Sequence, residues 1–165
     1  MPIASSGMGV AVLKGAPKPD ISTPEAFRRA LLAARAVAYT DPSSGGASGV
    51  HLAKVLERLG IANEVNAKAK LGRGVLAGSF VVKGEADIAI QQIPELLGVQ
   101  GVELVGPLPG DLQNVTTFAT GIPVGTPHGD GAKALVRFLL TPESAAVIRK
   151  HGLDPIPPAA PAKAS

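Results

Sequence analysis

Short apolar runs of strand type alternate with helical stripes along nearly the whole chain, and Gly and Pro mark the joins between them. Gly9–Leu13 reads as a buried strand, closed by the turn Lys14–Asp20. Ser22 and Glu25 have capping-box spacing, Pro24 suits a first helical turn, and Phe27, Ala30, Leu31 and Ala34 follow at helical intervals. Ala36–Thr40 reads as a second strand. Leu52, Val55, Leu56 and Leu59 form one helical face, with Gly60 placed to end it. Ile61–Arg73 reads as a short strand flanked by turns, Val75–Lys83 as a short helix, and Ala86–Gln91 as a strand. A helical turn over Ile93–Leu97 and a strand over Val102–Val105 come next. Val115–Thr120 is again strand-like. Ala132, Leu135, Val136 and Leu139 repeat the helical interval, and Thr141-Pro142-Glu143 opens a last helix that Gly152 ends. Ile156–Ser165 is a Pro/Ala tail with nothing to bury, expected to be disordered. Strand–helix alternation of this kind predicts an α/β fold, a mostly parallel sheet with helices on both faces.

With 165 residues there is enough chain for a sizeable core, but aromatics are only 3% and Trp is absent. Ala, Val, Leu and Gly must therefore fill the interior, which favours close packing of helix on sheet. The net charge of +3 is spread along the chain without a basic stripe or stacking aromatics, so nucleic acid is not expected as a partner. The excess favours anions over cations as ligands. Absence of Cys removes disulfides, thiolate metal sites and thiol nucleophiles, and no two His residues have metal-ligand spacing. No cofactor or metal is expected. No segment approaches the roughly 20 apolar residues of a membrane span, so the chain is not expected to be membrane-embedded. Met1–Gly7 lacks the basic start and long apolar stretch of a signal peptide, which by itself implies a cytoplasmic chain.

The segment richest in chemistry is Asp41–Gly49, between a strand and a helix at the carboxyl edge of the expected sheet, where open α/β sheets bind ligands. Gly45, Gly46 and Gly49 let backbone amides approach a ligand, and Ser43, Ser44 and Ser48 add hydroxyls. The helix start contributes unpaired N–H groups and a partial positive charge, so the whole suits an oxyanion or carboxylate. An ordinary capped turn uses the same residue types, and spacing does not separate the two. Neither the P-loop nor the dinucleotide fingerprint is present. Gln91 and Gln92 end a strand, where they either meet a ligand at the same edge or cap the strand in water. Tyr39 precedes the loop, turned toward it or packed as strand core. His51, Lys54 and Arg58 share one helix face that reads as solvated, and Lys68, Lys70 and Arg73 read as a basic surface cluster. No catalytic set stands out: Ser43 and Ser44 have no evident base, and no Gly-x-Ser-x-Gly elbow occurs.

Several stretches, taken in order, resemble the molybdate-binding-protein-like group of type 2 periplasmic solute-binding proteins, the receptors of ABC transporters. They are Gly9–Val12, Gly15–Asp20, the Asp41–Gly49 loop, Gly84–Gln92, Val102–Pro109, Ala134–Leu139 and Thr141–Ala146. The resemblance implies two α/β lobes joined by crossover strands, with an anion held between them. It makes residues 1–108 a second-lobe domain with the first crossover strand, and 109–155 the returning crossover and C-terminal helices of a first lobe whose remainder is missing. It implies ligand contacts at Ser43, Ser44, Gly45, Gly46, Ser48, Gln91 and Gln92, a small anionic ligand, an ABC transporter permease as partner and a periplasmic location. The Gly/Ser loop departs from that of true molybdate binders. A related branch resembles an isomerase of aconitate, so a carboxylate ligand, or an isomerase activity, is the alternative. Loss of half the ligand contacts would take a micromolar receptor, about −8 kcal/mol, to roughly millimolar. Helices without their usual sheet, exposing Leu135, Val136 and Leu139, would favour a homodimer.

Overall fold

The computed structural model describes residues 1–157, so most of the Pro/Ala tail lies outside the described residues. The chain divides into two compact units. The larger is Gly7–Val115; the smaller combines Met1–Ser6 with the chain from Thr116 onward.

The larger unit is built on five strands in the order β3-β2-β4-β1-β5. These are β1 (Pro2–Leu13), β2 (Val37–Thr40), β3 (Ala69–Gly72), β4 (Ile88–Gln92) and β5 (Val102–Pro107). Pairing of β2 with β3 and with β4 is parallel, whereas β1 joins β4 and β5 antiparallel. Helices α1 (Pro24–Ala33), α2 (Ala47–Arg58), α3 (Ala62–Asn66), α4 (Gly78–Val82) and α5 (Ile93–Leu97) cover the sheet.

Alternation along the strands sorts the core by size. Val10 and Val12, Val37 and Tyr39, Ile88 and Ile90 point to one face, where they meet Phe27 and Leu31 of α1, Leu52, Val55 and Leu56 of α2 and Val65 of α3. Between them Ala11, Ala36, Ala38 and Ala89 point to the other face and receive Val81 of α4 and Leu96 of α5. A period of two thus makes one bulky layer and one alanine layer, and the short helices α4 and α5 pack where side chains are small. This is how a chain poor in aromatics fills its interior.

Three local expectations are corrected. The N-cap of α1 is Thr23, whose hydroxyl accepts from Ala26 N at 3.1 Å, because Ser22 is occupied by Asp20 through both its amide and its hydroxyl. Within Ile61–Arg73 a helix, α3, precedes the strand β3: Ile61 and Val65, four residues apart, are both fully buried. Strand β1 starts at Pro2 rather than Gly9, since its first half is made by pairing inside the smaller unit.

In the smaller unit β6 (Val115–Ala119) and β7 (Asp154–Pro155) pair with β1, β7 through Ala4 and Ser5. Ile156 N donates to the Ile3 carbonyl at 2.9 Å, so the ordered backbone continues into the expected tail. Helices α6 (Gly129–Leu139) and α7 (Pro142–Lys150) follow the predicted spacing, with Thr141 capping α7 through Ser144 N. Of the residues expected to be exposed, Leu135 is 58% exposed but Val136 only 8%; Phe138 (61%) and Val147 (57%) add to the open apolar surface.

Candidate functional site

The parallel strands β3, β2 and β4 end together, and the candidate site lies on that carboxyl edge of the larger unit. Tyr39 stands opposite Ile90, and Thr40 opposite Gly72, so one residue further on Asp41 N donates to the Gly72 carbonyl at 3.0 Å. Asp41 then opens a 3-10 turn, Pro42–Ser44. Its Oδ1 accepts from Ser43 N at 2.8 Å and its carbonyl from Ser44 N at 3.0 Å and Ser44 Oγ at 2.6 Å. Gly45 closes the turn in the left-handed region (φ 76°), donating to the Pro42 carbonyl.

Helix α2 starts immediately afterwards. Its N-cap, Gly46, has no side chain to offer, and among the described residues no acceptor takes the amides of Gly46, Ala47, Ser48 or Gly49. Close packing holds this helix start against the strand end. A Cβ on Gly49 would meet the Thr40 carbonyl oxygen at 2.3 Å, and Ser48 Oγ, buried, donates to Thr40 Oγ1 at 3.2 Å. Four orphan amides and the positive end of a three-turn helix are what an anion needs.

The expected residues therefore divide. Ser43, Ser44 and Gly45 are exposed, but their amides are used inside the turn, so what they still offer is hydroxyl and surface. Gly46, half-buried, and Ser48, buried, belong to the uncapped helix start. Gln91 and Gln92 are both buried at the end of β4, and Gln91 Oε1 accepts from Ala77 N at 2.8 Å, tying β4 to the start of α4. Tyr39 lies in the bulky core layer. Its hydroxyl donates to Asn66 Oδ1 at 2.5 Å, and burial, then the nearby Asp41 carboxylate, raises its pKa.

Three residues at this edge carry no local sequence signal. Arg73, grouped by sequence with Lys68 and Lys70, is separated from them: Lys68 Nζ caps the end of α1 at the Leu32 and Ala34 carbonyls, whereas Arg73 Nε donates to Asp41 Oδ2 at 2.5 Å. The Asp41 carboxyl is held down to about 2, first by the Ser43 hydroxyl and then by the Arg73 guanidinium. Gln113 clamps β1 beside the strand ends, accepting from Met8 N and donating to Met8 O, each at 2.8 Å. Glu95, at the start of α5, is raised by burial and lowered in turn by the Gln92 amide and the Gln91 side chain. The helix face read as solvated is partly covered: His51 Nε2 donates to the Leu112 carbonyl at 2.8 Å, and Arg58 pairs with Asp111. At the opposite end of the sheet, Val12, Ala16, Pro19, Ala34, Val81 and Ile88 line an open apolar groove of about 520 Å³. Its charged residues Arg35 and Asp87 are paired with each other, so it offers an anion little.

A mixed α/β lobe whose parallel strands end at an uncapped, glycine-lined helix start has the construction of a solute-binding lobe of type 2 periplasmic binding proteins. The chain belongs to the family of bacterial extracellular solute-binding proteins, which it matches over residues 1–154. It is 36% identical over 156 residues to an aconitate isomerase from a Pseudomonas species, an alignment covering 94% of this chain and 58% of that protein. Among solved structures, the periplasmic molybdate-binding protein of Azotobacter vinelandii superposes with a TM-score of 0.60 at 16% identity, over 92% of this chain and 65% of its own. The substrate-binding protein of an ABC transporter from Agrobacterium tumefaciens does so with a TM-score of 0.68 at 13% identity, over 95% and 51%. These two establish the shared fold. Among the described residues no helix is long and apolar enough to cross a membrane.

Proposed function

We propose that the chain is a small-anion-binding module of the ABC-receptor kind, holding an oxyanion or carboxylate at the start of α2. The observation that carries this reading is the set of amides from Gly46 to Gly49, which have no acceptor among the described residues and lie at the carboxyl edge of the sheet. The exposed Ser43 hydroxyl borders that edge, Ser48 pins the helix start to Thr40, and Gln91 ties β4 to the start of α4. The larger unit corresponds in this reading to the second lobe, and most of the smaller unit to the returning part of the first lobe. Affinity of this chain alone is then weak, roughly millimolar, because it supplies about half of the contacts of a two-lobed receptor. The permease of an ABC transporter and a periplasmic location belong to the same proposal. So does association with a second copy through the apolar surface of Leu135, Phe138 and Val147. A thermal-shift series with molybdate, tungstate, sulfate, citrate and aconitate tests it: stabilisation by at least one anion is expected, and no response to any of them at tens of millimolar ends it.

A second reading, isomerisation of a small polycarboxylate, is favoured by the likeness to aconitate isomerase. Proton transfer would need a base whose pKa lies near the working pH. Asp41, held at about 2, is a poor one, and Glu95 is the carboxylate at this edge whose proton affinity is raised. Turnover of cis- to trans-aconitate that disappears in Glu95→Gln would establish the isomerase in place of the binder.

A further inference from the structure

Arg73 stands on a backbone that only glycine neighbours allow. A Cβ on Gly72 would meet the Val75 carbonyl oxygen at 2.4 Å, and Gly74 follows at φ 66°. The Gly72 carbonyl is fastened to Asp41 N, so the bend that presents Arg73 is anchored to the start of the Gly/Ser loop. The guanidinium itself is held side-on. Nε donates to Asp41 Oδ2, Nη2 reaches Ser43 Oγ at a long 3.3 Å, and Nη1 has no acceptor among the described residues. Asp41 is 5% exposed and Arg73 is 75% exposed, so the buried carboxylate orients an arginine whose outer edge stays open.

That open edge is the pair of Nη groups, the fork that takes a planar carboxylate through two parallel hydrogen bonds. Asp41 cannot fill it, because Oδ1 is taken by Ser43 N and Oδ2 by Nε. Holding Nε in advance also removes part of the rotamer freedom that a lone surface arginine would lose on binding. We propose that Arg73 contacts the ligand and determines its class: a di- or tricarboxylate, with one carboxylate on the Arg73 fork and another on the α2 amides. This rests on the reading of that edge as the binding site. A compact tetrahedral oxyanion seated on the amides has no second group for the fork, and lysine at position 73 would keep the charge but lose the paired donors.

The test is a ¹⁵N NMR titration of the full chain with aconitate and, separately, with molybdate. It follows the backbone amides of residues 46–49 and the Arg73 Nε–H signal. Aconitate is expected to move both sets of signals and molybdate the amides alone, and Arg73→Lys and Arg73→Gln are each expected to weaken aconitate binding about tenfold or more. Unchanged aconitate affinity in Arg73→Gln, full retention in Arg73→Lys, or an Arg73 signal that stays still while the amides shift would overturn the assignment of Arg73 alone. Amides 46–49 that respond to neither anion would remove the binding site itself, and this proposal with it. The Arg73 signal is read in the unaltered protein, so the outcome does not depend on the variants folding.

Discussion

Replacing Gly49 by alanine places a methyl group where the backbone of β2 already is. The added Cβ would lie 2.3 Å from the Thr40 carbonyl oxygen, 3.0 Å from its carbon and 3.2 Å from the Asp41 carbonyl carbon. Ordinary carbon–oxygen contact needs about 1 Å more, and the atoms in the way are main chain, which cannot rotate aside as a side-chain tip does. Helix α2 must lift, yet Leu52, Val55 and Leu56 on its buried face are 0–3% exposed and packed in the main core. Overpacking of this kind costs about 1–3 kcal/mol or somewhat more, against less than about 1 kcal/mol gained from alanine's better helix propensity. A net loss of about 2 kcal/mol is expected, seen as a lower urea midpoint at unchanged slope and a melting temperature lower by roughly 4–8 °C. Gly45→Ala is the control: the site is open, φ is 76°, and the cost is the left-handed backbone alone, about 1–2 kcal/mol with no displaced helix. The two separate in the spectra, since only Gly49→Ala shifts core resonances of α2. A Gly49→Ala protein within about 0.5 kcal/mol of the parent would refute the account of how α2 is seated.

Three further outcomes follow from the same edge. Because the Asp41 carboxyl is lowered from 3.8 to about 2, its contribution to stability is fully present above pH 4 and disappears as pH falls through about 2; unfolding midpoints measured between pH 5 and 2 should drop more steeply in the parent than in Asp41→Asn. Gln91→Leu strands the buried Ala77 amide and is expected to cost about 1–3 kcal/mol in urea unfolding, with faster hydrogen exchange at the start of α4; equal exchange there would show that the Gln91 bond carries nothing. Gln113→Ala breaks both bonds to Met8 and should destabilise by about 1–3 kcal/mol while exposing the Met8 amide to exchange, and a silent substitution would contradict the clamp.

How much of this was legible from residue order varies by element. Wherever the period was strong, as in Leu52-Val55-Leu56 of α2 or Ala132-Leu135-Val136-Leu139 of α6, element type and approximate bounds were readable, because helix formation there follows from one face that must be buried. Capping was readable to within one residue at α1, where Thr23 rather than Ser22 serves; the choice turns on Asp20 having already engaged Ser22. Strand β1 before Gly9 and helix α3 were missed. Pro2–Ser6 holds no apolar alternation and becomes strand only through its partners, and α3 is a single turn, with Val65 its one buried residue, too short for a period to show.

Residue order alone settled that the chain is α/β, that alanine would have to line part of the core, and that residues 41–49 form a turn running into a helix. Each of these follows from local spacing and side-chain volume, which act along the chain. Tertiary structure decided which groups remained available at that turn. It consumed the amides of Ser43, Ser44 and Gly45, left those of Gly46 to Gly49 open, turned Tyr39 and Gln91 inward, and brought Arg73 from 32 residues away to Asp41. Hydrogen bonds and charges pair across space once the parallel strands are in register, and their partners are strangers in sequence, so no reading of neighbours could assign them.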